Sequence, residues 1–187
     1  MCNYFRFGGV RVDFNDQMLA MARDITARFP RFLDEFEKLL TTNEVLLARC
    51  QKIGILPKEL AINASISGPM ARASGVEYDI RKVDKYGVYG RLDFHVPVGE
   101  LGDVYDRYLV PMQEFRQSLR IIDQALKRLP QGPVLTSDRK IAAPPRSELG
   151  TSMEAVIHHF KLWTEGFSVP AGEVYVATES PRGELGV

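Results

Sequence analysis

Residues 150–187, GTSMEAVIHHFKLWTEGFSVPAGEVYVATESPRGELGV, decide how the rest of the chain is read. Thr151 and Glu154 have the T-x-x-E spacing of a capping box, in which the hydroxyl covers one free helix N–H and the carboxylate reaches back to another. A helix is predicted from there. Val156, Ile157, Phe160 and Trp163 follow at steps of three and four, so they share one face, read as the face turned to the core. Gly166, after Glu165, suits the left-handed residue that ends a helix. Val174 and Val176 then alternate with Tyr175 and Ala177 as in a strand. Ser180-Pro181-Arg182-Gly183 reads as a turn with proline at its second position. A return strand begins at Leu185-Gly186-Val187, where the sequence stops. A hairpin short of its second strand predicts a fragment of a larger fold.

At 187 residues the chain is long enough for one domain with a core and too short to expect two independent ones. Hydrophobic residues at 45% and charged residues at 26% give an ordinary globular balance, against disorder. Lys+Arg and Asp+Glu number 24 each, so no net field favours nucleic acid or anionic lipid. No apolar run approaches the ~20 residues that span a bilayer, and no signal peptide precedes the first helix. Membrane association is therefore expected only through partners. Cys2 and Cys50 match neither a disulfide framework nor a metal knuckle. Two free thiols suit a reducing compartment, and Cys50, in LLARCQ, reads as a buried helical thiol.

Upstream, Asn15 or Asp16 caps a helix predicted to run to about Thr42. Leu19, Ala22, Ile25 and Phe29 share a face, as do Leu33, Phe36 and Leu40. Pro30 interrupts it, at a cost of ~3 kcal/mol in an exposed helix, so one long helix kinked there requires tertiary packing to hold it. Asn43 caps a shorter helix ending near Gln51 and Gly54, and Pro57 opens another. In SGPMARASG, Gly68-Pro69 and Gly75 bracket a single turn around Arg72. The glycines let the backbone approach an anion or another chain, and a plain structural turn is the stronger reading. Residues 91–96 alternate, with Leu92, Phe94 and Val96 on one face and Arg91, Asp93 and His95 on the other, which predicts a half-buried strand. Gly102-Asp103 starts a second long helix to about Leu129, kinked at Pro111. Its apolar positions are Tyr105, Leu109, Met112, Phe115, Leu119, Ile122, Leu126 and Leu129. Asp106, Arg107, Gln113, Arg116, Gln117, Arg120 and Gln124 form a polar face, read as solvated unless partners cover it. Residues 130–149 are loop, over the surface or against a neighbour.

Few groups suggest chemistry. His158 and His159 point about 100° apart on a helix and cannot chelate one ion as an i, i+4 pair can. Glu154 and His158 are four apart, so a carboxylate–imidazole hydrogen bond is feasible, either in a buried proton network or, the favoured reading, as a self-satisfied structural pair. No nucleophile elbow, dinucleotide fingerprint or phosphate loop is present. The residues thus predict a mainly α fold with a small β portion, in one partial domain over residues 1–187 that is cut in its closing hairpin.

Five segments in one order carry a family likeness: residues 3–10 (NYFRFGGV), 67–82 (SGPMARASGVEYDIRK), 96–108 (VPVGELGDVYDRY), 116–122 (RQSLRII) and 152–187. They resemble the quinone-site subunit of respiratory complex I, which is the D subunit of the bacterial enzyme and the H subunit of its chloroplast counterpart. The resemblance implies long kinked helices packed as in the large subunit of nickel–iron hydrogenases, without the two C-x-x-C pairs that hold nickel and iron there. It also implies a role in a proton-translocating NADH–quinone oxidoreductase. NAD and iron–sulfur clusters would belong to partner subunits, including a small one carrying the terminal cluster. Quinone would be taken by the full subunit. The location implied is peripheral, on the cytoplasmic side of a bacterial membrane. In this family the histidine, tyrosine and aspartate at the quinone headgroup lie upstream of the segment matching residues 3–10, so no catalytic residue is carried over. The histidine common just before the family's counterpart of Tyr4 is missing, with Met1, Cys2 and Asn3 there instead. NYFRFGGV is similar to the chloroplast version, which leaves ferredoxin open as electron donor. A hydrogenase-type large subunit and a non-catalytic helical scaffold for partner subunits are the alternatives.

Overall fold

A computed structural model describes residues 3–187, and Cys2 lies outside them. The two prolines expected inside helices are there: Pro30 in α1 (Asp16–Leu40) and Pro111 in α6 (Val104–Lys127). Asn15 Oδ1 accepts from Met18 N–H at 2.8 Å, as its capping role requires. Between them come α2 (Glu44–Cys50), α3 (Lys58–Asn63), α4 (Gly68–Ala73) and α5 (Ile80–Val83); α7 (Met153–Thr164) follows. Asn43 caps α2 by accepting from Val45 N–H at 2.9 Å and Leu46 N–H at 3.2 Å. Cys50, the last residue of α2, is half-buried rather than enclosed. The strands are β1 (Phe5–Arg6) with β2 (Gly9–Val10), and β3 (Ala177–Ser180) with β4 (Gly183–Gly186), both pairs antiparallel. The fold is mainly α with a small β portion, as expected.

The chain divides into two compact units, Met1–Met18 with Pro130–Glu173 and Leu19–Leu129 with Val174–Val187. In the first, the loop after α6 is not idle. Val10 N–H donates to Val134 O at 2.9 Å and Thr136 N–H to Gly8 O at 2.9 Å, so residues 134–136 lie along the β1–β2 hairpin.

In the second unit α1 and α6 run in opposite directions. Tyr105 Oη donates to Thr41 O at 2.8 Å near one end. Further along, Arg116 pairs with Asp34 at 2.9 Å and Glu37 at 2.7 Å, and the rings of Phe29 and Phe115 meet at 6.2 Å. Arg116, read as part of a solvated face, thus ties the two helices together. Asp103 caps α6, its Oδ1 accepting from Asp106 N–H at 2.8 Å while Oδ2 takes Lys52 N–H at 2.7 Å. Burial pushes the Asp103 carboxyl up, but hydrogen bonds from the backbone of Asp106, Lys52 and Tyr105 outweigh it and hold it below the usual carboxylate range.

Three expectations are corrected. Residues 92–96 form no ladder with another strand. Leu92 and Phe94 are buried as the alternation required, but α6 supplies the pairing. Gln124 Oε1 accepts from Asp93 N–H at 2.9 Å while its Nε2 donates to Asp93 O at 2.6 Å, and Gln117 Oε1 accepts from His95 N–H at 3.0 Å. Extended backbone needs partners, and two glutamines a double turn apart provide them as well as a strand does. The second correction concerns the closing hairpin. Its strands pair fully, from Ala177 opposite Gly186 to Ser180 opposite Gly183. Val176 and Val187 exchange two further backbone bonds at 2.9 and 3.0 Å. The closing residues thus pair with their opposite strand up to Val187. Third, α7 is capped by Ser152, whose Oγ accepts from Ala155 N–H at 3.2 Å. Thr151 turns back to Glu148 O, so Glu154 sits too early to close the box. Gly166 ends the helix at φ 74°, as its position implied.

Candidate functional site

The segment SGPMARASG becomes α4, packed against α3, α6 and β4. Gly68 has φ 71°, and a Cβ there would collide with Gly183 and with the Arg182 carbonyl carbon at the β3–β4 turn. Gly183, at φ 135°, would reciprocally strike Ser67. The two glycines exist for each other: their backbones touch, and Ser67 Oγ accepts from Glu184 N–H at 2.9 Å. What the glycines of this segment approach is another part of the same chain.

That approach closes a polar cluster. Ala71 and Ala73 leave no side-chain bulk around Arg72, which is only 2% exposed. Its Nε donates to Glu114 Oε1 on α6 at 2.6 Å. Its Nη1 donates to Glu179 Oε1 on β3 at 2.9 Å and to Tyr78 O at 3.0 Å. The Glu179 side chain is 4% exposed, and its Oε2 also accepts from Ile80 N–H at 3.4 Å. Asp79 Oδ2 stands 4.0 Å from the same guanidinium.

A second arginine completes the cluster. Asp79 caps α5 and binds Arg81 through both oxygens, at 2.9 and 2.6 Å. Burial raises the Asp79 carboxyl; the hydrogen bonds and charge of Arg81, with the Arg72 charge behind them, outweigh burial and hold it below its ordinary value. Arg81 moves the opposite way, lowered by burial but raised further by Asp79, for a net upward shift. Its guanidinium lies over Tyr89 at 5.8 Å and Phe94 at 5.0 Å, with Lys82 Nζ over Phe94 at 4.1 Å. Two guanidinium groups therefore meet three carboxylates where α4, α5, α6 and β3 converge.

Every carboxylate in this cluster is engaged by a guanidinium, and the Tyr86 hydroxyl accepts from the Glu179 backbone N–H at 3.1 Å. Such an arrangement ties the elements that carry these side chains to one another. Among the described residues no group of three His, Cys, Asp or Glu side chains could hold a metal ion. An apolar groove of about 450 Å³ lies elsewhere in this unit, lined in part by Pro97, Val98, Leu101, Tyr105, Asp106 and Leu109. Two of its polar side chains are engaged within the fold. The Tyr105 hydroxyl is given to Thr41, and Asp106 Oδ2 accepts the N–H groups of Glu100, Leu101 and Gly102 at 3.2, 2.6 and 3.0 Å.

Glu154 and His158 do not join any of this. They lie in the first unit with Oε1 and Nε2 at 3.7 Å, beyond hydrogen-bond range, and the carboxylate is 85% exposed. The His159 ring lies tilted beside that of Trp163, 5.9 Å between centroids. The Arg72 cluster is what the linear reading missed. Its one visible signal was an arginine set among alanine, glycine and serine, where a long charged side chain must be enclosed. Its partners lie 42 and 107 residues away, and nothing local names them.

Among the described residues no helix is long and apolar enough to cross a membrane. The profile of the family described as "Respiratory-chain NADH dehydrogenase, 49 Kd subunit" matches residues 1–187. The chain belongs to that family, whose members are subunits of an oxidoreductase complex. It is 50% identical over 184 residues to the NADH-quinone oxidoreductase D subunit of Ehrlichia ruminantium (strain Welgevonden), covering 98% of this chain and 47% of the relative. The same subunit of Anaplasma marginale (strain St. Maries) is 52% identical, with 98% and 46% covered. That of Rhodospirillum centenum (strain ATCC 51521 / SW) is 51% identical, with 99% and 47% covered. The chain thus spans about half the length of the curated relatives it matches.

Proposed function

We propose that this chain is the scaffold half of the quinone-site subunit of a proton-translocating NADH–quinone oxidoreductase. Electrons from NADH reach quinone through iron–sulfur clusters held by partner subunits. The small subunit with the terminal cluster is the neighbour against which the quinone pocket is completed. The subunit lies peripherally on the cytoplasmic face of a bacterial membrane, and its long helices pack as in the hydrogenase large subunit. Support comes from the family membership and from about 50% identity to proteins named as the D subunit of NADH-quinone oxidoreductase. The observation that carries the scaffold assignment is the Arg72 cluster. It joins α4, α5, α6 and β3 through two guanidinium groups and three carboxylates that pair with one another.

Among the described residues Cys50, at the end of α2, is the one cysteine and no group of side chains could hold a metal ion, so they offer no ligand set for a nickel–iron centre or an iron–sulfur cluster. No step is assigned to such a group in this chain. The test is a chimera in which this chain replaces the matched half of the Rhodospirillum centenum relative. Expected are assembly of the complex and membrane NADH:quinone activity within a few-fold of the parent. An assembled complex without activity would overturn the assignment.

A further inference from the structure

Helix α7 is inside out. Its small side, Ala155, is buried, while the apolar face made by Met153, Val156, Ile157, Phe160 and Trp163 points outward. Phe160 is 65% exposed and Trp163 75%. The periodicity that predicts a core-facing helix is real, but among the described residues of its own unit that face is left largely open. Just beyond the helix, Phe167 packs edge-on against Phe7 at 4.9 Å, which braces the chain where it leaves the helix.

We infer that this face is the docking site for another segment of the same subunit, drawn from the half of the relatives' length that lies outside the match, and that the segment presents an apolar surface to it. Three arguments select this occupant. The relatives carry more than half their length beyond the matched region, so the required chain exists in them. The exposed apolar area of the five side chains is on the order of 600 Å², at the low end of the ~600–1,000 Å² per partner of stable associations between separate molecules. A tethered segment needs less, because its effective concentration is already high. Finally, α7 carries one lysine and one glutamate, Lys161 and Glu154, and so lacks the basic polar face by which interfacial helices hold to lipid. The inference rests on family membership and not on the activity proposed above.

The experiment compares cysteine reactivity in this chain and in the full-length chimera, with Cys2→Ser and Cys50→Ser as background. Phe160→Cys and Trp163→Cys should react with maleimide at least tenfold more slowly in the chimera than in the chain. Glu154→Cys, off the apolar face, should change less than threefold. Equal rates at Phe160→Cys and Trp163→Cys in both proteins would overturn the inference, as would protection that appears only once the whole complex assembles. So would protection in the chain alone that grows with its concentration, which means a second copy, or co-sedimentation with phosphatidylethanolamine–phosphatidylglycerol vesicles. Trp163 is the sole tryptophan and gives a reading without substitution: in the wild-type chain it should be freely quenched by acrylamide, and a shielded indole would also refute the idea. Labelling can fail in a chimera that respires, and respiration can fail in one that labels as expected.

Discussion

Replacing Arg72 by methionine is the sharpest test of what holds the second unit together. The substitution keeps much of the side chain's length and removes its charge. Lost are the bonds to Glu114 at 2.6 Å, Glu179 at 2.9 Å and Tyr78 O at 3.0 Å. Left behind is Glu179, its side chain 4% exposed, with the weak 3.4 Å contact from Ile80 N–H as its remaining hydrogen bond on the carboxylate. Losing neutral hydrogen bonds alone would cost about 1 kcal/mol each; stranding a buried charge costs more, about 3–5 kcal/mol in total. Against a stability of about 5–15 kcal/mol that is a large share, and at 2–4 °C per kcal/mol it lowers the melting temperature by roughly 6–20 °C. Urea titration followed by far-UV circular dichroism measures it. The double variant Arg72→Met/Glu179→Met removes the stranded charge as well, so it should be more stable than Arg72→Met by ~1 kcal/mol or more. If Arg72→Met costs under ~1 kcal/mol, or if Glu179→Met adds its full separate cost on top, the cluster is not what fixes these elements.

The acid limb of stability follows from Asp79 and Asp103, both held below the ordinary carboxylate value in the folded chain. Their contribution is complete above the unfolded value of about 3.9 and is lost as pH falls through the lower folded value. Thermal melts should therefore drop below about pH 4, and Asp79→Asn should be less stable at pH 7 yet show a flatter acid limb; an unchanged limb would contradict the Arg81 pairing. Gly68→Ala places a Cβ against Gly183 at a positive φ, and should cost about 1–3 kcal/mol by chemical denaturation; a neutral result would mean the hairpin stands off from α4. Gln124→Leu removes both bonds to the Asp93 backbone, so hydrogen exchange at the Asp93 amide should quicken while the amide of His95, held by Gln117, stays protected. Equal exchange at Asp93 before and after would show that the extended segment needs no such support.

Much of this protein is legible in its sequence because the signals are local. Asn15, Asn43 and Asp103 announce helix starts, since a short polar side chain must satisfy N–H groups within three residues of itself. Gly166 announces a helix end for an equally local reason. Continuity through Pro30 and Pro111 is visible because the apolar spacing on either side keeps one phase. The alternation at Leu92 and Phe94 gives the right inward face. The segments at 67–82 and 152–187 point to the family without any structure. Local pattern also misleads by a residue or two: Ser152 outcompetes Thr151 for the helix start because both hydroxyls are available and packing chooses between them.

Three decisions belong to the tertiary structure alone. Spacing cannot tell that Asp93 and His95 pair with glutamines of α6 rather than with a strand, because backbone groups accept any partner of suitable geometry. The meeting of Arg72 with Glu114 and Glu179 is likewise invisible, since ion pairs carry no sequence period and these span 42 and 107 residues. The outward turn of α7 is the third: hydrophobic periodicity says that Val156, Ile157, Phe160 and Trp163 share a face, and only the packed chain says that the face is left largely open. Sequence determines which side chains stand together on an element, through the fixed geometry of helix and strand. What that shared face touches is set by packing, which depends on every other element at once.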